Sequence, residues 1–408
     1  MIAIIDQKEW IGIRNFLKTK GYDLVQNEYF GAGSFGVVVP AKITATGKNV
    51  VIKISQNKKE LEIEAKTLAK LVPECQKSAI ICYKDYFEED KIYEGYAYLV
   101  IEYLQEWESL EDFIRKRETK IIKMDEEELE IFYRFEVPQI INQLISALRV
   151  IHSQGLVHHD IKPDNIMISK ELEPGSHLRL IKIIDFGLAC DKQSCTESKR
   201  GGFQTHQYTA PEVWYQFESN RKKTTMGKIR FSLDQLQKID LWALGATIMD
   251  LVNLRRRSLI TTALFHLKAL KEDLLYDQLF TAVKTSHKEG YVDAMNFLYL
   301  ESLESGMNYF FAINDEIQAK LKKYGIGECF SNEINQLMTI DPEKRSDDFI
   351  FNYDSESGFQ CVKFADKREY GLEPSQIQQV KLSTTFMPDN EHVKEIGRKI
   401  PAKLFFGL

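Results

Sequence analysis

Apolar positions change their period several times along the chain, and each change predicts an element. Trp10, Ile13 and Leu17 recur at helical spacing, so the first twenty residues predict a short helix. Residues 28–54 switch to β-branched runs, Val37-Val38-Val39 and Val50-Val51-Ile52, separated by a turn at Thr46-Gly47-Lys48-Asn49. A helical stripe returns over residues 58–72 with Leu61, Ala65, Leu68 and Val72. Residues 80–87 and 96–102 predict a second strand pair. From about Leu110 the pattern is mostly helical, broken by strand-like runs at Ile166-Met167-Ile168 and at 180–184. The expectation is a small strand-rich lobe, a larger helical lobe, and a ligand cleft between them. No internal repeat or low-complexity linker interrupts this order.

Composition narrows the class. The 408 residues are 44% hydrophobic and 28% charged, with 22 Gly and 10 Pro, which is the make-up of a chain with sizeable cores. Lys and Arg total 54 against 60 Asp and Glu, so bulk charge gives no reason to expect a nucleic-acid partner. Cys75, Cys82, Cys190, Cys195, Cys329 and Cys361 form no CxxC pair and are sparse, which predicts reduced thiols in a reducing compartment. Met1-Ile2-Ala3-Ile4-Ile5 stops at Asp6 without a basic leader, unlike a signal peptide. The apolar stretch 241–254 is broken by Asp250 and Asn253 and is too short for a membrane span. These features predict a soluble cytoplasmic protein with no membrane partner, the nucleus remaining open.

Several segments carry chemistry. Gly31-Ala32-Gly33-Ser34-Phe35-Gly36 has GxGxxG spacing, which fits a dinucleotide fingerprint or a phosphate-covering hairpin. Val37-Val38-Val39 continues as a strand where a dinucleotide fold would start a helix, so the glycines belong to a hairpin whose N–H groups can approach phosphate oxygens. A plain glycine-rich hairpin is the alternative. Strand alternation puts Val51 and Lys53 on one face and Val50, Ile52 and Ile54 on the other. Lys53 then either snorkels to water or pairs with an inward carboxylate, and Glu64 lies within the apolar stripe of the next helix.

His158-His159-Asp160-Ile161-Lys162-Pro163-Asp164-Asn165 crowds polar groups between a buried helix and a buried strand, which is costly unless they do chemistry. Asp160 has the chemistry to accept a hydroxyl proton, Lys162 to neutralise a phosphoryl group and Asn165 to ligate a hard cation. A His-based metal site is the rival, weakened because adjacent residues of an extended segment point apart. Asp185-Phe186-Gly187 follows the apolar run 181–184. Asp185 is there either an oxygen ligand for Mg²⁺ or a turn cap.

Taken in order, these segments resemble the eukaryotic-type protein kinase family over roughly residues 22–350. The resemblance implies an α+β, bilobal fold, with a small strand-rich lobe at about 22–104 carrying one main helix and a larger helical lobe at about 105–350. Residues 1–21 would be a helical extension, and 351–408 a C-terminal extension of no assigned role. ATP and Mg²⁺ are the implied cofactors and a protein Ser/Thr hydroxyl the implied substrate.

Site residues follow from the same resemblance. The loop Gly31 to Gly36, including Ala32, Gly33, Ser34 and Phe35, would cover the phosphates, and Val38 and Val51 would line the adenine slot. Lys53 would hold the phosphates with Glu64 as its helix partner. Ile101 corresponds to the gatekeeper, Glu102 and Leu104 to the hinge positions facing adenine, and Met167 to the floor. Asp160 matches the catalytic base, Lys162 the phosphate-contacting lysine, and Asn165 and Asp185 the metal ligands. Ala210-Pro211-Glu212 would close the activation segment, with Arg345 pairing Glu212 and Thr205 standing near the base.

Some positions depart from the family pattern. His159 replaces the arginine that usually grips a phosphorylated activation loop. Between Glu212 and Asp240 the chain is longer than the family needs and carries Arg221, Lys222, Lys223, Lys228 and Arg230. That 213–239 segment is either a docking loop or a solvated insertion. A long linker is expected at 116–130, around the acidic run Asp125-Glu126-Glu127-Glu128. The expected activity is Ser/Thr protein phosphorylation, with a non-catalytic kinase-fold scaffold as the alternative. A small-molecule kinase is disfavoured by the complete glycine loop and Ala-Pro-Glu segment.

Overall fold

The computed structural model describes residues 5, 7–25, 31–33, 36–89, 95–120, 124–172, 178–197, 205–221, 231–254, 288–308, 310–311, 315–324, 327–354 and 358–363. The chain opens with α1 (Gln7–Thr19), followed by β1 (Tyr22–Leu24), β2 (Gly31–Gly33), β3 (Gly36–Ile43) and β4 (Asn49–Ser55). Then come α2 (Lys58–Cys75), β5 (Tyr83–Glu88) and β6 (Ala97–Glu102). The strands form one antiparallel sheet in the order β1-β3-β4-β6-β5, with β2 hairpinned onto β3.

The sheet is covered on both faces. Ile13 and Leu17 of α1 share a core with Val50, Ile52 and Ile54, the alternate residues of β4, and with Tyr98 and Val100 of β6. Phe16 adds ring contacts to Tyr98 at 5.3 Å and Phe87 at 5.9 Å. On the other face lies α2, which buries Leu61, Glu64, Ala65, Leu68 and Leu71. The expected Val72 position is corrected: Val72 is 41% exposed, and Leu71, about two helical turns on from the buried Glu64, completes the inward stripe.

The larger lobe continues with β7 (Trp107–Ser109), α3 (Leu110–Lys120), α4 (Glu126–Ile131), a π-helical turn (Phe132–Glu136) and α5 (Val137–Ser153). Most of the expected 116–130 linker is therefore helical. Asp125 caps α4 by accepting from the Glu128 N–H, and the acidic residues occupy its first turn, where the helix dipole favours them. Glu136 is buried between Arg117 at 2.9 Å and Arg179 at 3.1 Å, the charge compensation such a site requires.

After α5 come β8 (Leu156–Val157), β9 (Ile166–Ser169), β10 (Ile181–Ile183) and β11 (Cys190–Asp191), then α6 (Lys192–Glu197), α7 (Pro211–Arg221) and α8 (Leu233–Asn253). α8 starts in a reciprocal Ser232/Gln235 capping box and is buried almost without break from Ile239 to Val252. Helices α9 (Lys288–Ser305), α10 (Asp315–Lys323) and α11 (Gly327–Leu337) follow.

The hairpin β12 (Phe349–Asp354) and β13 (Gly358–Lys363) then returns to α5. There the Asn142 side chain exchanges two hydrogen bonds with the Phe351 backbone, at 2.7 and 2.9 Å. The division at 350/351 falls inside β12. Among the described residues, no helix is long and apolar enough to cross a membrane.

The cysteine expectation is corrected for four thiols. Cys75 at the end of α2 is bonded to Cys82, and Cys190 in β11 to Cys195 in α6. Each pair has a Cα separation of 5.2 Å, because the chain folds back after a helix end in one case and turns into a helix in the other.

Candidate active site

The small-lobe wall starts with the β2–β3 hairpin. Gly31 pairs with Val38, Ala32 with Val37 and Gly33 with Gly36, while Ser34 and Phe35 lie outside the described residues. Gly36 has φ 127°, and a Cβ there would stand 2.1 Å from the Ile54 carbonyl oxygen, so only glycine fits. Val38 lies opposite Lys53 in the β3–β4 register, and Val51 opposite Ile101 across β4–β6. Ile101, Glu102, Leu104 and Met167 are all half-buried, with Met167 on β9 between Ser109 and Lys182.

Of the two outcomes left open for Lys53, the structure shows the inward one. Its Nζ donates to both Glu64 carboxylate oxygens at 3.0 and 2.8 Å and to Asp185 Oδ1 at 2.9 Å. Burial alone would lower the Lys53 pKa, but the two carboxylates outweigh it and push the value up, so the ammonium stays charged. Asp185 moves the other way. Burial would raise its carboxyl, yet the Lys53 charge and hydrogen bond hold it below the usual carboxylate range.

The large-lobe wall is built from the segment between β8 and β9. Asp240, fully buried on α8, accepts from the backbone N–H of His158 at 2.8 Å and of His159 at 2.9 Å, and bonds His152 Nε2 at 3.0 Å. Burial opposes its ionisation, but the His152 hydrogen bond and nearby histidines keep its pKa low. This anchoring holds His159 at φ 67°, a left-handed conformation that costs a non-glycine residue about 1–3 kcal/mol. Asp185, at φ 57°, is the second such residue in the site.

His158 is buried. Its Nε2 lies 3.1 Å from the Ile184 carbonyl oxygen, and its Nδ1 accepts from the Asp160 N–H at 3.3 Å. These partners require the neutral ring protonated at Nε2, and burial lowers its pKa accordingly. His158 also packs edge-on against Phe186 at 4.7 Å. Both contacts engage the His158 ring within the fold, so His158 is not available as a metal ligand.

Asp160 is the centre of the polar cluster. Its Oδ2 accepts from Lys162 Nζ at 2.7 Å and Asn165 Nδ2 at 2.8 Å, and its Oδ1 accepts from Thr205 Oγ1 at 2.9 Å. Lys162 Nζ also donates to Thr205 Oγ1 at 2.8 Å. Because Asn165 turns its nitrogen to Asp160, its Oδ1 is the atom it can offer a cation. The Ile184 N–H donates to the Asn165 carbonyl at 2.9 Å, linking that residue to the strand leading into Asp185.

Such a carboxylate, already accepting from a hydroxyl, is arranged to take a hydroxyl proton. The Asn165 and Asp185 oxygens are hard donors suited to a divalent cation held jointly with an anionic ligand. Lys53 supplies fixed positive charge. Below the cluster, Arg345 forks onto Glu212 at 2.6 and 2.7 Å, as expected from the sequence. Sequence reasoning missed two elements of this site: Asp240 as backbone anchor, and an ion pair from Lys70 of α2 to Asp191 at 2.7 Å. The signal for Asp240 was a lone carboxylate opening an apolar helical run.

Several known proteins are similar to this chain over part of its length. The calcium/calmodulin-dependent protein kinase type II alpha chain of Drosophila melanogaster is 26% identical over 238 residues, covering 57% of this chain and 37% of that protein. The probable serine/threonine-protein kinase FMP48 of Saccharomyces cerevisiae is 29% identical over 226 residues, 54% of this chain and 56% of the relative. Homeodomain-interacting protein kinase 2 of Mus musculus is 28% identical over 242 residues, 57% and 17% respectively. The match thus spans little more than half, or less, of each of these relatives. The sequence model described as "Protein kinase domain" matches residues 24–259, a stretch that carries Lys53, Glu64, Asp160, Asn165 and Asp185 together. Since that stretch is more than half of the chain and contains both walls of the cleft, this chain belongs to the protein kinase domain family.

Proposed function

We propose that the chain is an active Ser/Thr protein kinase, using Mg-ATP to phosphorylate hydroxyls of a protein substrate. The observation that carries this reading is the pair of facing clusters: Asp160 with Lys162, Asn165 and Thr205, and Lys53 with Glu64 and Asp185. All the charged groups that phosphoryl transfer needs are present. Bound Mg-ATP supplies the transferable phosphoryl group.

The chain's own residues do the rest. Lys53, fixed by Glu64, would hold phosphate oxygens with the Gly31–Gly36 loop, and Asn165 and Asp185 would hold Mg²⁺. Val38, Val51, Ile101, Glu102, Leu104 and Met167 would line the adenine slot. Asp160 orients the substrate hydroxyl and takes its proton, while Lys162 offsets charge developing beside it. Thr205, already bonded to both, places the activation segment against the base. Lys162 stands where Ser/Thr enzymes carry lysine, which favours aliphatic hydroxyls over tyrosine. The basic 213–239 segment would serve protein docking, and the cytoplasm is the proposed location. Of that segment, residues 222–230 lie outside the described residues.

The test is phosphotransfer from Mg-ATP to an arrayed peptide library. The expected result is phosphoserine or phosphothreonine product that disappears in Asp160→Asn. Nucleotide binding without transfer to any peptide or protein by the wild type would favour the scaffold alternative instead.

A further inference from the structure

Lys182, on β10 three residues before Asp185, is the meeting point of three segments. Its Nζ donates to the Cys75 carbonyl at 3.1 Å, at the end of α2, and to the Ile80 carbonyl at 3.0 Å, in the loop that follows. It also pairs with Glu102 Oε1 at 2.7 Å, at the end of β6. The same Glu102 oxygen accepts from the Cys82 N–H at 2.8 Å, and the Glu102 N–H donates to the Cys82 carbonyl at 3.0 Å. Lys182 Nζ lies 3.9 Å from Cys82 Sγ. One ammonium thus touches the helix that carries Glu64, the loop after it and the segment joining the lobes.

We infer that Lys182 is a positioning residue for nucleotide binding, acting through Glu102. The inference rests on the ATP reading above, in which the backbone around Glu102 and Leu104 meets adenine. The loop after α2 has other ties. It is closed by the Cys75–Cys82 bond and zipped to β10 by Ile81 N–H to Ile183 O at 3.0 Å and Ile183 N–H to Ala79 O at 2.8 Å. Glu102, by contrast, has Lys182 as its cation, and both side chains are largely shielded from water, at 16% exposure for the lysine and 21% for the glutamate. Removing the ammonium therefore loosens the Glu102 end of β6 far more than it moves α2. The lost contact is made equally with ground state and transition state, so it changes nucleotide affinity and not turnover.

The experiment measures Mg-ATP binding by calorimetry, together with kcat and the KM values for ATP and peptide. It compares wild type, Lys182→Met, Lys182→Arg, Glu102→Gln and the Lys182→Met/Glu102→Gln double variant. The ATP Kd and KM should rise about five- to tenfold in Lys182→Met and in Glu102→Gln, the size of a partly solvated charge-assisted contact. The double variant should be no weaker than the weaker single, because the two changes remove one interaction. Turnover and peptide KM of Lys182→Met should stay within about twofold, and Lys182→Arg should recover most of the loss.

Unchanged ATP affinity in Lys182→Met overturns the inference. So do additive effects of the two singles, or equal losses in kcat and both KM values with no rescue by arginine. If Lys182→Met does not fold, Glu102→Gln decides alone, since its amide oxygen still accepts from Cys82. A wild type that binds no Mg-ATP refutes the nucleotide reading itself, which separates the two failures.

Discussion

Replacing Arg345 with Met breaks a heavily bonded buried charge in the large lobe. Arg345 is 1% exposed and forks onto Glu212, itself 7% exposed. Its Nε donates to the Thr339 carbonyl at 2.8 Å, its Nη1 to the Lys238 carbonyl at 3.2 Å, and its guanidinium lies 4.9 Å from the Trp242 ring centre. Methionine fills much of the volume, so the loss is chiefly electrostatic. A buried carboxylate stripped of its partner costs about 3–5 kcal/mol, and the orphaned carbonyls fall within the same range of loss. The expected destabilisation is about 4 kcal/mol, read as a shift in the urea midpoint at unchanged m-value.

The diagnostic comparison is the Glu212→Gln/Arg345→Met double variant. Removing the stranded charge should bring it at least about 2 kcal/mol above the sum of the two singles. A loss below about 1 kcal/mol in Arg345→Met, or additive singles, would refute the view that Arg345 matters as the partner of a buried charge.

Three further outcomes are expected. Lys53→Met should abolish phosphotransfer and Glu64→Gln weaken it, with a double-mutant cycle on nucleotide affinity showing coupling above about 0.5 kcal/mol; zero coupling would contradict the 2.8 Å pair. Phosphatase-treated enzyme should keep most of its activity, because His159 offers a phosphate at most one charge. The segment after Asp185 is instead tied by Lys70–Asp191 and by Ser194 Oγ on Asp191 Oδ1 at 2.7 Å. An activation of about a hundredfold on phosphorylation, roughly 2.7 kcal/mol of barrier, would sink that idea. Finally, His158 has its pKa lowered in the fold, so as pH falls the unfolded chain binds the proton first. Its contribution is complete above about pH 6.5 and declines below it, so the unfolding midpoint should drop on acidification less steeply in His158→Gln than in wild type; identical slopes would remove His158 from the account.

What could be read beforehand was whatever burial writes into a local period. The alternation Val50 to Ile54 put Lys53 on a face with Val51, and the stripe of α2 offered Glu64 as its partner, because each depends on neighbours within a few residues. The paired 158–165 and 185–187 segments were legible because polar groups stood where apolar ones were due. Asp240 is different: its partners His158 and His159 lie 82 and 81 residues away, a pairing no local pattern encodes. The same holds for Lys182 with Glu102, which depends on how separate segments are stacked, whereas the two disulfides join cysteines only seven and five residues apart. The acidic run at 125–128 was expected inside a long linker, yet at a helix start negative charge stabilises the first turn.

The docking of α1 also bears on how this chain can diverge. The back of the sheet, opposite Lys53, presents to the outside a helix whose exposed positions include Lys8, Ile11, Asn15 and Lys18. Those positions precede residue 24, where the family match begins. The outward identity of the small lobe is therefore written in a segment that carries none of the proposed catalytic groups. Substitutions on that outer helix face can change what the lobe displays while the inward Ile13 and Leu17 keep the β4 strand, and with it Lys53, in place.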